Sequence, residues 1–253
     1  MKTGIYRRSL HFLYRNWTIL ALFVAWQAWV ALRGYNEIVA PTPGAVIGEI
    51  FMNPTVYAIA LIWTACVALT GLVSGVTLGA FFALAAYFSP LASGMVTPLT
   101  LLLRCTPVPV MIPVLIQVLG TGQTTVLAIA TIVSFFPSFV LIGAGLRSPS
   151  RSSRDLFSAL GASRVSTIRY LLFPIAASYG LISLRITAPT AVLGTMLAEY
   201  LLSEHGLGYL FSDSIIFSNT ARAWGAGVLA MGLAVVAFSA TSLAERWGSA
   251  RMN

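Results

Sequence analysis

LRSPSRSSRDLFSALGASRVSTIRYLLFP, from Leu146 to Pro174, is the one long stretch in which this chain stops being hydrophobic. Its arginines stand at 147, 151, 154, 164 and 169, with only Asp155 in opposition. Ser152 or Ser153 can cap a helix, which puts Asp155 in the first turn, where the helix dipole favours an acid. Leu156, Ala159 and Leu160 continue that helix, and Gly161 stands where a helix ends on a left-handed residue. After Ala162, Ser163 can cap a second helix that begins at Arg164 and runs through Leu172, and Pro174 marks the return to apolar sequence. A loop that only sets membrane topology would need charge alone. The order helix, glycine, helix, proline describes two short helices at an angle, rigid enough to meet a partner and to transmit a push.

Everything on either side of this stretch belongs in lipid. Of 253 residues 58% are hydrophobic and 9% charged, with a mean hydropathy of +0.86, which excludes a soluble domain of this length. No charged side chain occurs from Ile50 through Leu103, a run long enough for two spans at about 20 residues each. The runs are continuously apolar, so they read as helices and not as the alternating strands of a barrel. Six spans are expected: about 17–32, a stretch within 56–88, 91–119 (interrupted by Pro98, Pro107, Pro109 and Pro113), 124–146, from Pro174 to about 199, and 224–243. Trp26 and Trp29 occupy the place where a signal peptide would carry small residues, so the first span is read as uncleaved. Between it and the second, Pro41 and Pro43 precede a short helix in which Val46, Ile47, Ile50 and Phe51 share a face, as in a helix lying in the membrane interface.

The net charge of +8 does not point to nucleic acid, because the basic residues flank the ends of apolar runs. Lys2, Arg7, Arg8, Arg15, the five arginines of the loop, Arg246 and Arg251 fall on one side, against Asp155 and Glu245. The other side carries Glu37, Glu49, Glu204 and Asp213 against Arg33 and Arg222. By the positive-inside rule the first side, with both termini, is cytoplasmic.

The segment DLFSALGASRVSTIRYLLFP, 155–174, resembles the EAA loop of binding-protein-dependent ABC importer permeases. That motif is an acid-Ala-Ala triplet, a glycine a few residues on, and a proline after the second helix. Asp155, Gly161 and Pro174 take the first, middle and last places, and Ala159, Ala162, Ser163 and Arg164 fit between them. Leu156 and Phe157 replace the two alanines, so contact at the start of the first helix differs. Further segments resemble the nitrate/sulfonate/taurine branch, which includes transporters of thiamine precursors and riboflavin: APTPGAVIGEIF (40–51), LLLRCTPVPVMIPVLIQVLGTGQ (101–123) and LAEYLLSEHGLGYL (197–210). The resemblance implies an all-α integral membrane protein, one permease domain over residues 1–253, with six spans and a cytoplasmic two-helix coupling loop. It also implies a bacterial inner-membrane location, a second copy of the chain, two ATPase subunits that bind ATP and Mg, and a periplasmic or lipoprotein solute-binding protein.

The residues agree that any ATPase must be separate. A P-loop needs Gly-x-x-x-x-Gly-Lys-Ser/Thr, and Lys2 is the only lysine. No cofactor is expected in this chain, no metal-ligand spacing occurs, and Cys66 and Cys105 read as small buried hydrophobes. A Ser-His hydrolase would have to pair Ser74 with His205, and Ser74 lacks the Gly-x-Ser-Gly setting; His11 and His205 read as solvated surface residues. A self-contained secondary transporter or channel is the rival reading, and it would need coupling carboxylates at mid-membrane, of which none convinces. Gly71, Gly75 and Gly79 form a small-residue face for close helix packing, against the chain's own bundle or a second copy. Arg104 and Arg185 fall near the middle of their spans, where a charge costs a few kcal/mol. Two roles stand for them: lining a translocation path for an anionic or polar solute, or bracing helices against carbonyls freed by Pro107, Pro109 or Pro189.

Overall fold

The computed structural model of the protein describes residues 17–18 and 21–252, without the side chains of Arg104, Ser249, Arg251 and Met252. Lys2, Arg7, Arg8, His11 and Arg15 lie outside the described residues, as do Ile19 and Leu20 of the expected first span. Among the described residues the secondary structure is entirely helical. The elements are α1 (Ala21–Arg33), α2 (Pro43–Met52), α3 (Pro54–Phe88), α4 (Pro90–Cys105), α5 (Val108–Leu119), α6 (Gln123–Arg147), α7 (Arg151–Ala159), α8 (Arg164–Thr167), a π-helical turn (Ile168–Leu172), α9 (Phe173–Leu202), α10 (Leu207–Ile216) and α11 (Thr220–Met252).

Four of these stretches are long and apolar enough to cross a membrane: α3, α6, the continuous helix Arg164–Leu202, and α11 as far as Gly248. The expected span 91–119 is not one helix. It breaks at Thr106–Pro107 into α4 and α5, which meet at 114°, because two adjoining positions surrender the helix: Thr106 is extended and Pro107 has no N–H to donate. The pair nevertheless carries the chain across. Ala83 and Ala86 of α3 pack with Phe139, Ile142, Leu146 and Leu172, and Val96 of α4 joins them at this loop end. Val108, Ile112 and Ile116 of α5 pack instead with Val126, Ile129, Ala198 and Leu202 at the far end. With α3 finishing at one end and α6 starting at the other, α4 and α5 form a bent fifth crossing. The described α1 covers Ala21–Arg33 of the expected first span; its Trp26 stacks on Trp224 at 5.0 Å.

The centre of the bundle is a seam of small residues. Gly71, Gly75 and Gly79 of α3 lie on Ala130, Ser134 and Ser138 of α6, so closely that a Cβ at Gly79 would stand 2.8 Å from the Ser138 Cβ and 2.9 Å from the Phe135 carbonyl oxygen. Without a hydrophobic driving force between helices in lipid, such close backbone approach supplies the attraction. The glycine face therefore meets the chain's own bundle. Ser183 of α9 donates to Ser138 at 3.3 Å, with both side chains fully buried. Cys66 and Cys105, expected inside, lie exposed on the outside of the bundle; in a membrane protein an apolar side chain gains no more from the protein interior than from lipid.

The short helix after the first apolar run is present as α2, capped by Thr42, whose hydroxyl accepts from the Ala45 N–H at 3.2 Å. Val46 is buried and Ile50 half-buried, while Ile47 and Phe51 face outward. Glu49 ties α2 to α11 through an ion pair with Arg222 at 2.8 Å.

Candidate functional site

The loop between α6 and α9 holds itself together by local bonds. Ser150, not Ser152 or Ser153, caps α7: its hydroxyl accepts from the Ser153 N–H at 3.1 Å. The helix consequently starts at Arg151, and Asp155 falls beyond its first turn. Pro149 just before the cap cannot join the helix, which shifts the start toward it. At the other end of α7 Gly161 is left-handed, with φ +68°. The Ala162 N–H reaches the Phe157 carbonyl at 2.9 Å and the Gly161 N–H reaches that of Ser158 at 3.0 Å, the paired bonds of a Schellman ending. Ser163 caps α8 as expected, accepting from the Ser166 N–H at 3.2 Å.

Pro174 does not end the second helix. A π-helical turn at Ile168–Leu172 joins α8 to α9, with the Phe173 N–H donating to the Ile168 carbonyl. The widened turn moves the bonding pattern one residue out of step just before the residue that has no N–H, and this lets the helix pass through a proline. Arg164–Leu202 is therefore one 39-residue rod, about 58 Å long at about 1.5 Å per residue. The expected pair of short helices is one short helix, α7, and the first turns of a lever.

No side chain of α7 or α8 is buried. Leu156 and Leu160, one turn apart, are 57% and 73% exposed, and Val165 across the Gly161 corner is 73% exposed. Arg151, Arg154, Asp155, Ala159, Arg164 and Arg169 are exposed around them. An apolar knob rimmed by cations on a rigid corner is a shape for insertion into another protein. The i, i+4 spacing of Leu156 and Leu160 in a polar helix is the signal that marks it in the sequence.

The two intramembrane arginines fare differently. The backbone of Arg104 lies at the end of α4, beside the break that divides the bent crossing; its side chain lies outside the described residues. Arg185 pairs with Glu245 of α11 at 3.0 Å and stands over the Phe238 ring at 5.3 Å. The sixth span was expected to end near Leu243, leaving Glu245 in a loop, but α11 runs on to Met252 and brings that carboxylate against α9. The geometry is that of a helix brace, with a carboxylate in place of freed carbonyls as the partner.

Among the described side chains Glu199 forms no ion pair. It is 1% exposed, and its Oε2 accepts from the Thr64 hydroxyl at 2.7 Å and from the Gly208 N–H at 3.1 Å. Thr64 in turn accepts from the Leu207 N–H at 2.8 Å. The first two N–H groups of α10 are thus satisfied by side chains from α9 and α3. Nothing in the periodicity of any one helix announces this meeting; the trace it leaves is an acid followed by Gly206 and Gly208, both packed so closely on Glu199 that neither has space for a Cβ.

A family model for the inner membrane component of binding-protein-dependent transport systems matches residues 75–244. The chain is similar to the formylaminopyrimidine transport permease protein ThiX of Halalkalibacterium halodurans, 26% identical over 80% of this chain and 81% of that one. It is also similar to the taurine transport system permease protein TauC of Escherichia coli, 24% identical over 88% and 82%. Among solved structures, the inward-facing MetNI methionine ABC transporter matches with a TM-score of 0.64 at 17% identity, covering 74% of this chain and 94% of that one, a likeness of fold. The model match takes in the bent fourth and fifth helices, the seam from Gly75 onward, the loop and the lever, and this chain belongs to the family of binding-protein-dependent transport system inner membrane components, as a multi-pass permease subunit of an ABC importer.

Proposed function

We propose that two copies of this chain enclose the pathway of an importer for a small polar or anionic nutrient, of the nitrate, sulfonate or taurine kind or a thiamine precursor or riboflavin. The solute is delivered by a binding protein at the far end. Two ATPase subunits, which bind ATP and Mg and carry out hydrolysis, dock at the loop end on Asp155, Ala159, Gly161, Ala162, Ser163 and Arg164. In this reading the loop end is cytoplasmic, α1 belongs to a sixth span, and both termini are inside the cell. The observation that carries it is the exposed, self-capped corner of α7 and α8 continuing without interruption into the 39-residue rod. Closure of the ATPase pair pushes that corner, and Arg164–Leu202 carries the displacement across the membrane.

Copurification tests it. The intact chain, expressed with its cell's ATPases, brings down an ATPase subunit, and the variant Leu160→Glu does not. A chain that transports in proteoliposomes with no ATPase present is a secondary carrier instead. Topology is read separately, after Cys66 and Cys105 are replaced: a cysteine at Ser152 is labelled only from the cytoplasm and one at Glu204 only from outside.

A further inference from the structure

We infer that Glu199, with Thr64, is the positioning residue through which the lever moves the far-end helix α10, so that the pair sets coupling between ATPase and far end as well as packing. The inference rests on the permease reading above. Four observations lead to it. First, the continuous helix Arg164–Leu202 begins at the docking corner, and Glu199 stands three residues before its last, Leu202. Second, Glu199 is gripped from two other helices at once, by the Thr64 hydroxyl of α3 and the Gly208 N–H of α10. Third, the grip leaves no slack: Gly208 lies on the Met196 carbonyl and the Glu199 Cβ, and Gly206, at φ +97°, lies on the carboxyl group. Fourth, the chain between α9 and α10 is only 203–206, so the two helices have no long tether to absorb a movement.

The chemistry suits a coupling joint better than a passive plug. A carboxyl group enclosed among apolar helices is expensive where an oxygen goes without a hydrogen bond; among the described residues Oε2 of Glu199 has two donors and Oε1 none, and an isosteric apolar residue would fill the space without that cost. What the carboxylate adds is direction. It faces the N-terminal N–H groups of α10, where the helix dipole favours an anion, and so holds that helix by its end. Thr64 completes the joint by donating to Glu199 and accepting from Leu207 with a single hydroxyl. A displacement of the α9 end therefore drags the α10 start, and α10 packs by Leu207 and Leu210 against Tyr57, Ala226 and Ala230 of α3 and α11. The movement is distributed to the whole far end, where the solute arrives.

The test uses the assembled importer with its ATPase and binding protein, reconstituted in proteoliposomes. Thr64→Val keeps the shape and removes the hydroxyl; Thr64→Ser keeps the hydroxyl; Glu199→Gln keeps an acceptor oxygen, and Glu199→Ala removes it. Loss of bonds to a buried carboxyl group predicts that Thr64→Val and Glu199→Ala lower uptake per ATP hydrolysed about tenfold, while basal ATPase activity and subunit assembly stay within twofold of the unaltered complex. Thr64→Ser restores the ratio, and Glu199→Gln falls between. Amide exchange at 204–210 speeds up in the same variants that lose coupling. Uptake per ATP unchanged in Thr64→Val, with faster exchange at 204–210, would overturn the inference, since the joint would then be loosened without consequence. So would a fall in basal ATPase activity and melting temperature in parallel with uptake, in Thr64→Val and Thr64→Ser alike, because that is loss of fold. Failure of the unaltered chain to assemble with any ATPase is a different result, and it sinks the permease reading itself.

Discussion

The loop end and the far end of this molecule are fixed by opposite means. The bonds that shape α7 and α8 join residues eight or fewer positions apart, from the Ser150 cap to the Arg154 contact with the Leu146 carbonyl. The bonds that fix α10 reach from Thr64 to Glu199, 135 positions away, and from Leu207 back to Thr64, 143 positions away. One end keeps its shape with no side chain of α7 or α8 buried; the other depends on the whole bundle. The difference suits an adaptor that must present a finished surface to one partner while its far side rearranges. Between them lies the small-residue seam, where a Cβ at Gly71, Gly75 or Gly79 has no space.

Two glycines break this comparison open, because each is required for a different reason. Gly75 is a matter of space: a Cβ there would stand 2.6 Å from the Thr131 carbonyl oxygen and 2.9 Å from the Phe135 nitrogen. Gly75→Leu forces α3 and α6 apart at a cost on the order of 3 kcal/mol, the upper end for overpacking. The expected outcome is loss of most monodisperse protein after detergent extraction, and a normal yield with an unchanged melting point would show that the seam is slack. Gly161 is a matter of conformation, since nothing stands within 4 Å of its missing Cβ while its φ is +68°. Gly161→Val costs about 1–2 kcal/mol at a left-handed position, falling on the corner alone. The protein should insert and fold, fail to hold its ATPase, and lose solute-stimulated hydrolysis; Gly161→Asn, which tolerates that conformation, should retain both. Normal stimulated hydrolysis in Gly161→Val would remove the corner from the coupling path.

The same contrast explains what could be read from the sequence. Gly161, the Ser163 cap and the uncharged runs of α3 and α6 were legible because they are written within a few consecutive residues. The misplaced first cap, at Ser150 instead of Ser152 or Ser153, is an error of two or three positions in a serine-rich stretch where each serine can serve. Pro174 misled because its effect depends on a π-helical turn that absorbs the missing donor, whereas Pro107 interrupts its span as expected, and the break is complete because Thr106 beside it also leaves the helix. The Glu199 joint and the Arg185–Glu245 pair were not legible at all. Each unites residues from helices far apart in sequence, and helical periodicity gives a face without giving the neighbour that face will meet.

Arg185 sharpens the comparison at mid-bundle, where the sequence left two roles open. With Glu245 at 3.0 Å and Phe238 beneath the guanidinium, Arg185→Gln removes a charge-assisted bond of about 1.5–3 kcal/mol, reduced by the partial exposure of both side chains. A brace predicts a lower melting temperature of the assembled complex, with uptake per complex within twofold. Glu245→Gln should lower it similarly, and the double variant should be no worse than either alone. Uptake reduced tenfold at an unchanged melting point would assign Arg185 to the solute path instead.

The smallest effect is expected at Ser150, and it decides whether the loop end is as self-contained as its hydrogen bonds suggest. Ser150→Ala removes the acceptor for the Ser153 N–H and costs about 1 kcal/mol, the usual value of an N-cap. Ser152→Ala, one residue into the helix with its side chain exposed, removes no such acceptor and serves as the control. If α7 is held by local bonds alone, Ser150→Ala frays its first turn in the free permease and weakens ATPase binding a few-fold, because the partner must then restore the turn as it docks. Melting of the bundle should not move, since no side chain of α7 is buried in it. Exchange of the amides of 151–154, measured with and without the ATPase, separates the two contributions: faster exchange in the free protein that returns to normal on docking fits a locally built corner. Equal exchange in Ser150→Ala and Ser152→Ala would mean that the corner is held by contacts to the rest of the chain, and the contrast between the two ends would lose its basis.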